Sequence, residues 1–281
     1  MGTAALVMGA LILMLYSQAG MEAASRAAEV FAGSVLPALF PMMVLSRLLP
    51  PRSGWVSNCL FGFASGSPAS AQRLGLLWEG GALAPDEAEC LSALTGVMSP
   101  MFFTGTLARW TGDAAAGWRL LAVHWASAIV TALLWRRMTP RTQGKTAVSA
   151  PPVQPFIRRL PQAIVQSGQS ALAVCGAMML FAIVSGVLRA ALGTMFPIWT
   201  ARNARGLALL CGMLEIGGGA AAVVQSFEAP YALLSGLCGF GGVSIWMQNL
   251  LFVPQCIRPA RLAAMRMLHG AVAYGLALVI F

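Results

Sequence analysis

Charged residues cut this chain into apolar stretches that are too long and too many for a soluble core. The stretches run near 3–19, 33–49, 90–108, 118–135, 163–188, 206–226, 230–253 and 262–281, and a helix needs roughly 20 such residues to cross the hydrocarbon of a bilayer. Only 10% of the 281 residues are charged and 58% are hydrophobic, a balance that belongs in lipid. The period-two alternation of an outer-membrane barrel is absent, so helices are the expected spanning units. The expected fold class is an all-α, polytopic membrane protein.

A formal charge of +9 raises nucleic acid as a partner. The basic residues, however, sit mostly at the ends of apolar stretches and not on a polar face interleaved with aromatics, so membrane topology accounts for them and nucleic acid does not. Cys59, Cys90, Cys175, Cys211, Cys238 and Cys256 are scattered in or beside apolar runs, with no CxxC pair and no adjacent histidine; they read as small packing residues, not as disulfides or a metal site. Paired carboxylates, a Ser/His/Asp set and a P-loop are missing from the sequence, so neither an enzyme nor a cofactor is expected. Thr3 to Ala19 lacks a basic leader and a good cleavage site, which favours an uncleaved membrane helix over a signal peptide.

Arg136, Arg137, Arg141, Lys145, Arg158 and Arg159 fall in one acid-free connection that also carries Pro140, Pro151, Pro152, Pro155 and Pro161. This reads as a basic cytoplasmic linker, 139–161, between two halves. Residues 1–32 form a membrane helix and an amphipathic connector, 33–138 a first repeat, and 162–281 a second. With the linker inside, Arg47, Arg52, Arg73, Arg258, Arg261 and Arg266 fall on the cytoplasmic side of the cell membrane. Arg26, Arg109, Arg119, Arg189, Arg202 and Arg205 fall outside.

The two halves carry similar parts in the same order. In the first, an apolar helix (33–49) is followed by FASGSPASAQ, an acidic strip around Pro85, a helix at about 86–108 broken by Gly96 and Ser99-Pro100, and a helix at 118–135. In the second, the helix at 163–188 is followed by LEIGGGAAAV, a run broken by GFGG, and a helix from about Leu262. Because the halves enter the bilayer from opposite sides, the pattern predicts an inverted repeat with re-entrant hairpins and discontinuous helices. Backbone freed by Gly, Ser and Pro survives in lipid only where protein or a cavity satisfies it. The clusters SGSP, SP, GGG and GFGG are therefore the expected breaks and the candidate site. Gly176, Gly186, Gly212, Gly236 and Gly275 read instead as close-packing positions.

Glu215 lies deep in an apolar run. It reads either as a site residue or as an interfacial carboxylate at a hairpin tip, or one paired with Arg202 or Arg205. Gln248, and less so Gln72 and Asn249, read as ligand contacts or helix bridges. His124 and His269, each near the start of the last helix of its half, read as structural hydrogen-bonding groups. Trp110, Trp118, Trp125, Trp135 and Trp199 read as interface anchors.

The run CLFGFASGSPASAQRLGLLWEGG, the broken helix ending in TGVMSPMFFTGT, and the later LLCGMLEIGGGAAAV, LLSGLCGFGGVSIWMQ and MLHGAVAYGLAL resemble, in that order, the YlbJ-type sporulation integral membrane proteins. That family belongs with the nucleoside-recognition (Gate) domain proteins, similar in plan to the concentrative nucleoside transporters. The resemblance implies a substrate site from Ser65, Gly66, Ser67 and Pro68 of the first hairpin and Thr95, Ser99 and Pro100 of the first broken helix. From the second half it implies Glu215 and Gly217 of the hairpin and Gly241, Gly242, Ser244 and Gln248 of the broken helix. Gly96-Val97-Met98 depart from the family, which tends to have adjacent asparagines and a serine before the proline; a less polar site or a changed substrate follows.

The expected function is transport of a small polar or anionic metabolite, with the sporulation link implying a solute such as dipicolinate. With no P-loop, any energy is expected from a gradient, a partner or the solute itself, and Glu215, if buried, could couple a proton or a sodium ion. The rival is a non-transporting Gate-fold protein that helps assemble an envelope or spore-maturation complex. Expected partners are the lipid bilayer and the solute, with a homo-oligomer or envelope proteins left open.

Overall fold

A computed structural model describes residues 2–50, 54–139 and 155–281, and among them all regular structure is helical. The N-terminal segments are α1 (Gly2–Leu15), α2 (Ser17–Val30) and α3 (Leu36–Leu48), with a π-helical turn at Phe31–Val35 joining the last two into one helix. Two short helices follow, α4 (Trp55–Ser65) and α5 (Ala69–Glu79), then α6 (Pro85–Thr95), α7 (Ala108–Thr111) and the long α8 (Ala114–Met138). The second half has α9 (Phe156–Met195), α10 (Pro197–Arg202), α11 (Ala204–Leu214), α12 (Ile216–Ser226), α13 (Tyr231–Phe240), α14 (Gly242–Leu250) and α15 (Pro259–Ile280).

Among the described residues, four helices are long and apolar enough to cross a membrane: Ser17–Leu48, Ala114–Met138, Phe156–Met195 and Pro259–Ile280. Their outer surfaces are apolar as well, with Leu172 and Leu180 of α9 and Leu278 and Val279 of α15 exposed. This is the pattern of a multi-pass membrane protein, since water would not tolerate such a surface.

Two expected boundaries move. The connector before residue 33 is part of a 32-residue helix, because its Glu22 and Arg26 stand one turn apart on the exposed face, 3.8 Å from each other, while its small residues pack. Gly20 lies against Ile183 and Val187, and Gly186 against Ala19 and Ala23, so α2 and α9 approach closely. The linker also ends earlier than expected, with α9 starting at Phe156 and taking in Pro161. A proline so near a helix start frees only the carbonyl four residues back, on the exposed Ile157, which keeps the loss small. Arg52, Arg141 and Lys145, with Pro140, Pro151 and Pro152, lie outside the described residues.

Arginines gather at one end of the bundle. Arg159 donates to the carbonyls of Arg47 and Leu48, and Arg73 to those of Ser46, Leu49 and Pro50, so both cap the carbonyl end of α3. Cations belong at that end of a helix dipole. Leu74, beside Arg73, joins Ala88, Trp135 and Leu262 in an apolar cluster. Next to it Arg261 meets Glu89 at 2.6 Å, and the same carboxylate accepts the Trp135 indole N–H at 3.2 Å. At the other end Arg119 pairs with Asp113 and lies over the Phe281 ring, so α8 and α15 run antiparallel.

Candidate functional site

Each half holds a pair of 11-residue helices whose junction rests on a break in the helix that follows. In the first half α4 stops at Ser65, Gly66 takes φ +66°, and α5 begins after Pro68. The Ser67 N–H donates to Val97 O at 2.6 Å. A Cβ on Gly66 would stand 2.7 Å from Ser99 Cα, so only glycine allows both this backbone turn and this approach. The break itself spans 96–99, between the end of α6 and a helix that resumes at Pro100 and passes through a π-helical stretch, Phe102–Leu107.

In the second half the corresponding turn is Glu215, extended at φ −140° and ψ 118° between α11 and α12. Its Oε1 accepts the Gly217 N–H and its Oε2 the Gly218 N–H, both at 2.7 Å. Glu215 is thus the cap of α12, satisfying two of the donors that every helix start leaves open; neither Arg202 nor Arg205 pairs with it among the described residues. Gly217, Gly218 and Gly219 are helical and not a break. They let α12 lie on α11, where a Cβ on Gly219 would collide with the backbone of Gly212 and Cys211. The real break is Gly241-Gly242, at φ +83° and +72°, and Gly242 faces Gly212 O and Ile216 N at the tip of that pair. Trp246 Nε1 donates to the freed Phe240 carbonyl at 2.6 Å.

The structure therefore brings the expected residues together as two pairs. Gly66, in the turn with Ser65, Ser67 and Pro68, lies against Ser99, next to Pro100; Gly242, next to Gly241, lies against Ile216, which stands between Glu215 and Gly217 in the chain. Between the pairs lies an apolar cluster that includes Met98, Ile216, Leu237 and Phe103, with Ile245 against it. Thr95 does not present a spare hydroxyl, since its Oγ1 donates to Leu91 O in its own helix and its side chain packs on Gly62. Gln248 donates to Ser244 Oγ one turn back, and both are buried. Gln72 bridges to Met43 O and Ser46 Oγ of α3. A separate cavity of about 440 Å³, lined by Trp55, Asp86, Glu87, Cys90, Trp135, Arg136 and Thr139, opens near the Arg261–Glu89 pair.

The groups that hold the first break come from elsewhere. His124 and His269 are each the eleventh residue of their helices, α8 and α15, and so stand well inside them and not near their starts. Their rings face each other at 4.7 Å and are 1% and 0% exposed. His124 Nε2 accepts the Met98 N–H at 2.9 Å, satisfying a donor that the break releases. His269 Nε2 lies 2.9 Å from Ser127 Oγ and 3.2 Å from His124 O. Ser127 spends its proton on that same carbonyl, so the His269 Nε2 is the donor. Arg266, fully buried, donates through Nη2 to Ser92 O at 3.0 Å, and its guanidinium lies over Gly96. Sequence reasoning used Arg266 only as a marker of topology. An arginine at the eighth position of an apolar helix, three residues before a histidine, is the signal that marks it for the interior.

Comparison of the chain with family models, with curated proteins and with solved structures finds no match in any of the three.

Proposed function

We propose that this protein is a membrane transporter for a small polar or anionic metabolite. It works by alternating access at a midplane site built from two re-entrant hairpins, α4–α5 and α11–α12, and two broken helices, α6–α7 and α13–α14. The observation that carries this reading is the tip-on-break contact made twice in the same order, Gly66 on Ser99 and Ile216 on Gly242. Broken helices facing hairpins in an inverted repeat are a recurring way to place backbone dipoles around a solute. The resemblance to YlbJ-type and Gate-domain proteins points the same way, and suggests a sporulation-related solute such as dipicolinate. In this reading the arginine-rich end of the bundle faces the cytoplasm of a cell-membrane protein, and the driving force is a solute gradient or a coupled proton or sodium ion.

Purified protein in proteoliposomes, offered dipicolinate and a panel of nucleosides, tests it. Saturable uptake of at least one solute is expected. Absence of flux for the whole panel, with no ligand-induced thermal shift, would sink the transporter reading. The apolar cluster joining Met98 to Ile216 favours a second reading, a non-transporting Gate-fold protein that supports an envelope or spore-maturation complex. Co-purification of a stoichiometric membrane partner, with no flux, is its signature.

A further inference from the structure

Several of the buried polar atoms without partners belong to residues on or beside the break at 96–99. Arg266 Nε has none, and neither do Ser67 Oγ, His124 Nδ1 and His269 Nδ1. Three of these belong to residues already fixed on the break. Arg266 lies over Gly96, Ser67 holds Val97 O through its own N–H, and His124 accepts the Met98 N–H. Native proteins leave few buried polar atoms unpaired, and a group of them needs a reason.

Their chemistry has one sign. The Arg266 Nε carries a proton that only an acceptor can take. His124 uses Nε2 to accept, so its ring proton stands on Nδ1 and also needs an acceptor. The Ser67 hydroxyl can donate a third hydrogen bond. Arg266 adds a full charge: it is 2% exposed, and among the described residues no carboxylate pairs with it. The Ser92 carbonyl near the end of α6 offers about half a unit of negative charge through the helix dipole, which leaves a buried guanidinium short of compensation. Water would supply an acceptor but not the missing charge.

We infer that the 96–99 break is an anion site, with Arg266, Ser67 and His124 receiving a carboxylate group of the solute. The inference rests on the transporter reading only in that the carboxylate is taken to be the cargo; the binding itself does not depend on flux. Gly96 is part of the site because a Cβ there would fall 2.6 Å from the Arg266 Cζ and displace the guanidinium.

Calorimetric titration of the purified protein in detergent with acetate, benzoate and pyridine-2,6-dicarboxylate, against benzamide and pyridine-2,6-dicarboxamide, tests the site. At least one carboxylate is expected to bind and its amide not to. Arg266→Lys should weaken that binding tenfold or more, and Ser67→Ala severalfold. The second variant removes one hydroxyl and leaves the fold intact even if changes at Arg266 do not. Equal binding of acid and amide, no binding of any carboxylate, or unchanged affinity in Ser67→Ala would overturn the inference. Carboxylate binding that depends on Arg266 without flux in proteoliposomes would uphold the site and defeat the transporter reading. Flux of neutral nucleosides with no carboxylate binding would do the reverse.

Discussion

Two side chains, His124 and Glu215, accept main-chain N–H groups where the helices are interrupted. His124 takes the Met98 N–H. His124→Leu keeps bulk and removes the acceptor, so a buried donor goes unpaired and the protein should lose about 1–3 kcal/mol, read as a lower unfolding midpoint in detergent. Glu215 takes two N–H groups at the start of α12. Glu215→Ala should cost about 0.5–2 kcal/mol as a lost cap, while Glu215→Gln, which keeps one acceptor, should recover part of the loss. A Gln variant as unstable as Ala would show that the carboxylate acts by charge and not as a cap. The presence of both histidines and of Glu215 in apolar runs was plain from the sequence. Their partners were not, because a hydrogen bond between α8 and the 96–99 break joins residues 26 positions apart, and no local pattern encodes that distance.

At the scale of elements, glycine does different work at positions that look alike in sequence. Gly66, Gly241 and Gly242 turn the chain with positive φ. Gly186, Gly212, Gly219, Gly236 and Gly270 admit a neighbouring helix, whereas Gly176 and Gly275 face open space. Gly219→Val should therefore force α11 and α12 apart and cost at least the 1–3 kcal/mol typical of overpacking, with a drop in the thermal midpoint. Gly176→Ala should leave that midpoint unchanged or raise it, since alanine is the better helix former. The all-helical class and the long apolar helices over 118–135, 163–188 and 262–281 could be read from the apolar runs. The GGG run misled because three glycines in a row look like a break, yet a capped N-terminus at Glu215 makes them helical. The continuous α2–α3 helix was hidden for the opposite reason: Glu22, Arg26 and Glu29 lower the hydropathy without interrupting the helix.

The whole molecule has two chemically different ends. Arg47, Arg73, Arg159 and Arg261 mark one, and Asp113, Arg119 and Phe281 the other. Under the proposed topology, a single cysteine in a cysteine-free background should react with an impermeant maleimide only from the cytoplasm when placed at the exposed Gln255, and only from outside when placed at the exposed Asn203. Labelling of both from one side would dismantle the proposed topology.

The crossing of supports between the halves also orders events during synthesis. Arg266 and His269 of α15 reach back to Ser92 in α6 and to His124 and Ser127 in α8, yet α15 leaves the ribosome after all of those segments. Until α15 emerges, the 96–99 interruption is held from its own side of the chain, by His124 on the Met98 N–H and by the Ser67 N–H on the Val97 carbonyl, and it gains the Arg266 and His269 contacts when that helix arrives.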